Sequence, residues 1–202
     1  MSRFQFLPTR APDWLTGPLG RAVGRSGITA NFISLVGFSG VLCAAWFITQ
    51  DRLVIAGILF LAFSIFDMLD GAVARATNSA SQYGAVLDAV LDRAAEVAML
   101  GACAGYFSDR GEDWQSAATY LALFGSIAVS YMRARAEIDN IPMRGGLFRR
   151  QERIALLTIG LLFNGLTVVI VILAVLTNFT ALQRFYGLAK QLRLQDAAHE
   201  GS

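Results

Sequence analysis

The chain has 202 residues, of which 55% are hydrophobic and 16% charged, with a mean hydropathy of +0.51. So apolar a composition excludes an ordinary soluble domain, and the length excludes two large ones. A formal net charge of +2 is too small for a chain that works on nucleic acid, so no nucleic-acid partner is expected.

The first residues, Met1 to Leu15, hold no sustained apolar core and do not read as a secretory signal. Leu15, Leu19 and Val23 then recur at helical spacing, which suggests an amphipathic helix in the bilayer interface over 11–25, interrupted by Gly17-Pro18. Thr29 or Asn31 caps a first apolar span over 31–49. After a tight turn at Asp51-Arg52, a second span runs over 53–75. A small polar loop, Thr77 to Gln82, leads to a third span over 82–106. A polar turn from Ser108 to Asp113 precedes a fourth span over 114–137. The stretch 139–150 is a loop bearing glycine and arginine. Two more runs follow, 151–164 and 166–189, broken at Asn164-Gly165. The fifth is short and lies partly in the interface. Residues 195–202 read as a disordered tail.

Runs of about 20 apolar residues match the hydrocarbon thickness of a bilayer. The expected fold is therefore an all-α integral membrane protein, six transmembrane helices preceded by an N-terminal interfacial helix. Its divisions are a juxtamembrane segment over 1–28, a six-helix domain over 29–194 and the tail. Cys43 and Cys103 fall inside apolar runs and read as small buried hydrophobes.

Arginine placement gives an orientation. Arg3, Arg10, Arg21 and Arg25 precede the first span. Arg75, Arg133, Arg135, Arg144, Arg149, Arg150 and Arg153 flank the even connections, and Arg184, Lys190 and Arg193 fall near the end of the last span. The opposite side has Arg52 and Arg110, beside Asp51, Asp109, Glu112 and Asp113. The expectation is a multi-pass cell-membrane protein with both termini cytoplasmic.

The chemistry is concentrated between Asp67 and Asp92. Asp67 and Asp70 are three apart, Asp88 and Asp92 four apart, so each pair shares one helical face. A carboxylate in hydrocarbon is costly unless paired, hydrated or bound to a cation. Two such faces on consecutive antiparallel helices offer oxygens to hard cations such as Mg²⁺, Mn²⁺ or Ca²⁺, and four acids suit two bridged ions. Without histidine or cysteine nearby, zinc is not expected. Gly71 and Gly84 lie on the acid stripe, where a missing side chain lets a ligand or another helix approach. Arg75 holds a phosphate, balances the acids or snorkels from a helix end. Glu96 continues the stripe deeper and reads as structural or as a support to the site residues. Metals beside an arginine at a membrane interface point to a pyrophosphate substrate. Asp92, the last acid of the series, is the candidate general base, because His199 lies in the tail.

These residues fill every fixed position of D-x2-D-G-x2-A-R-x8-G-x3-D-x3-D, from Asp67 through Asp92. The chain thereby resembles the CDP-alcohol phosphotransferases. The resemblance implies a CDP-linked lipid donor, attack by an alcohol on its β-phosphorus, and departure of CMP. It implies two ions, Mg²⁺ or Mn²⁺, one on Asp67, Asp70 and Asp88 and one on Asp67, Asp88 and Asp92. It further implies CDP contacts at Gly71, Arg75, Ser81 and the residues Ala30, Asn31, Phe32 and Ile33, and a homodimer in the lipid bilayer. Ser130 to Glu137, Gly145-Gly146-Leu147-Phe148, Glu152-Arg153 and Arg184 are similar to segments of phosphatidylinositol phosphate synthases. That likeness implies CDP-diacylglycerol as donor, inositol phosphate as acceptor, and Arg133, Arg153 and Arg184 on the acceptor phosphate. A dianionic acceptor needs a cationic pocket, whereas free serine or inositol does not.

The chain departs from that pattern with Arg133 where many such synthases have lysine, and with Gln151 where proline usually precedes Glu-Arg. Glycerol 3-phosphate as acceptor, or an archaeal-type lipid donor, are the neighbouring readings. A prenyltransferase spaces its acids differently. A cation transporter would place them near mid-membrane rather than on the arginine-rich side.

Overall fold

A computed structural model describes residues 29–67, 81–139, 141 and 148–200. These residues form six α-helices and no strand: α1 Ala30–Thr49, α2 Leu53–Asp67, α3 Gln82–Ser108, α4 Asp113–Ile138, α5 Arg150–Leu162 and α6 Leu166–Glu200. The expected interfacial helix over 11–25 lies outside the described residues, as does the part of the second span beyond Asp67.

Each apolar run becomes a helix, and punctuating residues end it. Thr29 caps α1 by accepting from the Phe32 N–H at 3.3 Å. The three short turns share one device. Asp51, Gly111 and Asn164 adopt φ of 61°, 70° and 54°. The N–H groups of Arg52, Glu112 and Gly165 then reach back to the carbonyls of Phe47, Phe107 and Gly160 at 2.9, 3.0 and 2.9 Å. This is the Schellman arrangement, which satisfies carbonyls that a helix end otherwise leaves open. Aspartate and asparagine tolerate the left-handed backbone better than most residues.

Neighbouring helices close a ring in the order α1, α3, α4, α6, α5, α2 and back to α1. Alternation of direction puts the three tight turns at one end, called here the closed end. The starts of α1, α3 and α5 and the finishes of α2, α4 and α6 lie at the other, open end. The ring encloses one apolar core that includes Ile48, Phe60, Met99, Phe107, Leu161 and Ile170. Small residues permit close approach. A Cβ on Gly40 would overlap the Phe63 ring, and one on Gly125 would overlap Thr177. Hydroxyls within the core return to backbone carbonyls: Ser116 donates to Ala104 at 3.1 Å, and Thr177 to Leu173 at 2.8 Å.

Two expectations are corrected. The residues from Gln195 to Glu200 continue α6 instead of forming a disordered tail. Gln195, Ala197 and Ala198 favour helix, and no glycine or proline intervenes before Gly201. Cys103 is buried, but Cys43 lies on the outer face of α1. Among the described residues two helices, Ala30–Thr49 and Leu166–Gln195, are long and apolar enough to cross a membrane, and Leu53–Phe66 is a shorter apolar helix.

Candidate active site at the open end of the bundle

Ser81 starts α3. Its Oγ accepts from the Gly84 N–H at 3.0 Å, the usual way to satisfy one open donor of a first turn. Gly84 in turn faces α1: a Cβ there would lie 3.1 Å from Asn31 Oδ1 and 3.2 Å from Ser81 Oγ. Two of the expected nucleotide contacts, Asn31 and Ser81, are therefore gathered around the glycine of the acid stripe. Ala30, Asn31, Phe32 and Ile33 make up the first turn of α1. Their side chains diverge, since Ile33 is buried in the core and Phe32 is exposed.

Asp88 and Asp92 follow one and two turns after Gly84, both half-buried. The Asp92 side chain is 14% exposed, and Arg150 Nη2 meets its Oδ1 at 2.6 Å. Arg93 Nη1 lies 3.5 Å from Oδ2. Asp67 is the last residue of α2, and Ser64 one turn before it lines the same cleft as Asp92. That cleft lies between α1, α2, α3 and α5, with Gly37, Leu91, Glu96 and Arg150 among its walls. Asp70, Gly71 and Arg75 lie outside the described residues.

The start of α5 brings arginines to the same region. Glu152 accepts from the Arg149 backbone N–H and so orders the first turn. Arg153 is only 6% exposed and donates Nε and Nη2 to Glu96 Oε1 at 2.8 and 2.5 Å. Arg184 on α6 donates Nη1 to the Val129 carbonyl at 2.8 Å. Its Nε is buried and has no hydrogen-bond partner among the described residues. Its guanidinium is within electrostatic reach of Arg133, Arg149 and Arg153. Arg133 is exposed and pairs with Glu137 one turn on, at 2.9 Å.

The three expected acceptor arginines thus share one neighbourhood but differ in state. Arg153 is committed to Glu96, Arg133 is on the surface, and Arg184 retains a donor. Sequence reasoning did not single out Arg149 or Arg150. The usable signal was helical phase, since Arg150 is three residues before Arg153 at a helix start and shares its face.

The donor set suits a hard divalent cation. Asp88 and Asp92 offer only carboxylate oxygens from one face, in a half-buried place where anionic charge needs a partner. Among the described residues no three acid, histidine or cysteine side chains stand together, because the described part of the quartet holds only the Asp88 and Asp92 side chains.

A family model described as CDP-alcohol phosphatidyltransferase matches residues 27–183. The chain is 34% identical to an archaetidylinositol phosphate synthase of Pyrococcus horikoshii, over 87% of this chain and 92% of that one. It is 35% identical to a phosphatidylinositol phosphate synthase of Mycobacteroides abscessus, over 75% of this chain and 70% of that one. Its fold matches the crystal structure of Mycobacterium tuberculosis phosphatidylinositol phosphate synthase with CDP-DAG bound. The TM-score is 0.80 at 28% identity, covering 87% of this chain and 94% of that one. A second structure of that enzyme, in complex with manganese and citrate, matches with a TM-score of 0.78 at 29% identity, covering 86% and 88%.

Proposed function

The chain belongs to the CDP-alcohol phosphatidyltransferase family, and we propose that it transfers the phosphatidyl group of CDP-diacylglycerol to inositol phosphate, releasing CMP and forming phosphatidylinositol phosphate. The observation that carries the acceptor is the buried Nε of Arg184, which has no hydrogen-bond partner among the described residues and lies within electrostatic reach of Arg133, Arg149 and Arg153. A buried guanidinium donor surrounded by like charge is costly, and an anionic ligand relieves both the open donor and the repulsion. A phosphorylated alcohol supplies that charge.

Asn31, Ser81 and Gly84 form a small polar floor at the starts of α1 and α3 for the cytidine diphosphate part, with Ala30 to Ile33, Gly71 and Arg75 contributing. Open N–H groups at a helix start favour phosphate oxygens. Asp67, Asp70, Asp88 and Asp92 would hold two divalent cations, Mg²⁺ or Mn²⁺, whose chemistry there is to neutralise charge on the diphosphate as the bond to CMP breaks. Asp92 takes the proton from the acceptor hydroxyl as its oxygen bonds to the β-phosphorus.

All six helices cross the bilayer in this reading, with both termini cytoplasmic, an interfacial helix ahead of α1, and a homodimer as the working form. Outward-facing Phe124, Val175, Phe179 and Leu182 support an apolar surround. A second reading keeps the acceptor and changes the donor. The Pyrococcus relative is named for an archaetidyl product, so an ether-linked CDP-lipid is the competitor.

The test is CMP release by purified protein, offering CDP-diacylglycerol or CDP-archaeol with inositol phosphate, inositol or glycerol 3-phosphate. Turnover with inositol phosphate alone is expected. Turnover with glycerol 3-phosphate and none with inositol phosphate overturns the acceptor. Preference for CDP-archaeol overturns the donor.

A further inference from the structure

Asp92 and Glu96 stand one turn apart on α3, and Arg150 and Arg153 one turn apart on α5. They pair in register, Asp92 with Arg150 at 2.6 Å and Glu96 with Arg153 at 2.5 Å. Asp92, Glu96 and Arg150 all line the cleft. We propose that Arg150 is a positioning residue, the resident counterion of Asp92, and that a divalent cation on the acid cluster displaces its guanidinium toward the acceptor phosphate. This rests on the reading of Asp92 as a metal ligand.

The two pairs are not equivalent. Arg153 makes two bonds to Glu96, is almost fully buried, and also donates to the Phe148 carbonyl at 3.5 Å. Breaking that pair would strand a charge in the core. Arg150 is more open, with a side chain 28% exposed against 7% for Arg153. A cation on Asp92 takes up the carboxylate charge that holds Arg150 and repels its guanidinium at short range in a low-dielectric cleft. Among the described residues Arg93, beside Oδ2, also faces Asp92 and is the more exposed. Once displaced, Arg150 stays within one turn of Arg153, on the side where an acceptor phosphate is expected.

Two consequences follow by linkage. Arg150 competes with the cation for Asp92, so neutralising it tightens cation binding. The displaced Arg150 also adds charge for the acceptor, so cation and acceptor favour each other only while Arg150 is present.

The experiment measures Mn²⁺ binding by electron paramagnetic resonance, with protein in lipid nanodiscs and no CDP-lipid. Wild type, Arg150→Gln, Arg150→Lys and Asp88→Asn are compared with and without inositol phosphate. Arg150→Gln is expected to bind Mn²⁺ on the order of tenfold tighter than wild type, within the usual range for coupled sites. Arg150→Lys should stay near wild type. Inositol phosphate should tighten Mn²⁺ in wild type but not in Arg150→Gln. Equal or weaker Mn²⁺ binding by folded Arg150→Gln overturns the inference. If that variant does not fold, wild type decides alone: Mn²⁺ affinity unmoved by inositol phosphate overturns it. Wild type that takes up no Mn²⁺, or no better than Asp88→Asn, removes the metal reading itself and the inference with it.

Discussion

At the closed end Asp51, Gly111 and Asn164 reverse the chain with backbone hydrogen bonds, whereas at the open end Asp92, Glu96, Arg150 and Arg153 hold α3 to α5 by charge. The closed end is also braced by Arg110, which meets Asp51 at 2.6 Å and stacks 3.7 Å above the Tyr106 ring. Asp51 there is well exposed, so water weakens that pair. The open-end pairs are mostly buried and lie against the cleft. Local backbone bonds fix geometry without placing charge near the core. Long-range ion pairs between helices can be redistributed when a charged ligand arrives, which suits a site that must accept both cations and anions.

The largest effect should come from the acids. Asp88→Asn is expected to lower CMP release by at least about a hundredfold, with helix content by circular dichroism unchanged. Near-normal turnover would remove Asp88 from the site and with it the contrast between the ends. Next is the buried pair. Arg153→Ala should lower stability by about 3–5 kcal/mol, because Glu96 is left buried and unpaired. Adding Glu96→Gln should recover part of that loss, read as a thermal midpoint. Additive effects would mean that the pair is not energetically coupled. In the double variant, a raised apparent KM for the acceptor with CDP-lipid binding intact would sharpen the assignment of Arg153.

The sequence displayed the helices more clearly than the pairs. The end of α1 at Thr49, the turn at Asp51-Arg52 and the break at Asn164-Gly165 follow from apolar runs and from residues that accept a left-handed backbone. Local chemistry is visible in one dimension. The gathering of Asn31 at Gly84, and of Arg150 at Asp92, depends on how helices rotate about their own axes, which packing decides. Glu96 was legible as structural or as a support to the site residues from its depth, but its partner Arg153 was not. The tail was read from its place at the chain terminus, whereas helix propensity carries α6 on to Glu200. The residues between Asp67 and Ser81, which carry half of the acid motif, were legible in sequence and lie outside the described structure.

Smaller effects probe the middle of the bundle and the closed end. Gly125→Val should cost about 1–3 kcal/mol, since α6 would have to move off α4 at Thr177. Gly111→Ala should cost about 1–2 kcal/mol by placing a side chain at positive φ, with acceptor KM unchanged. Arg110→Ala should cost about 1 kcal/mol or less and leave turnover intact. If Arg110→Ala instead changed acceptor dependence, the two ends would be communicating through α3.

The turn at Gln50–Arg52 joins α1 to α2, Asp109–Glu112 joins α3 to α4, and Phe163–Gly165 joins α5 to α6, so the described residues form three helical hairpins. If, as proposed, all six helices span the bilayer with the open end cytoplasmic, each hairpin carries only a short polar turn across the hydrocarbon. Arg110 and Asp51, the oppositely charged residues of two successive hairpins, meet only after both have been delivered. Their contact would report assembly of the second hairpin against the first, before the catalytic face on the other side is complete.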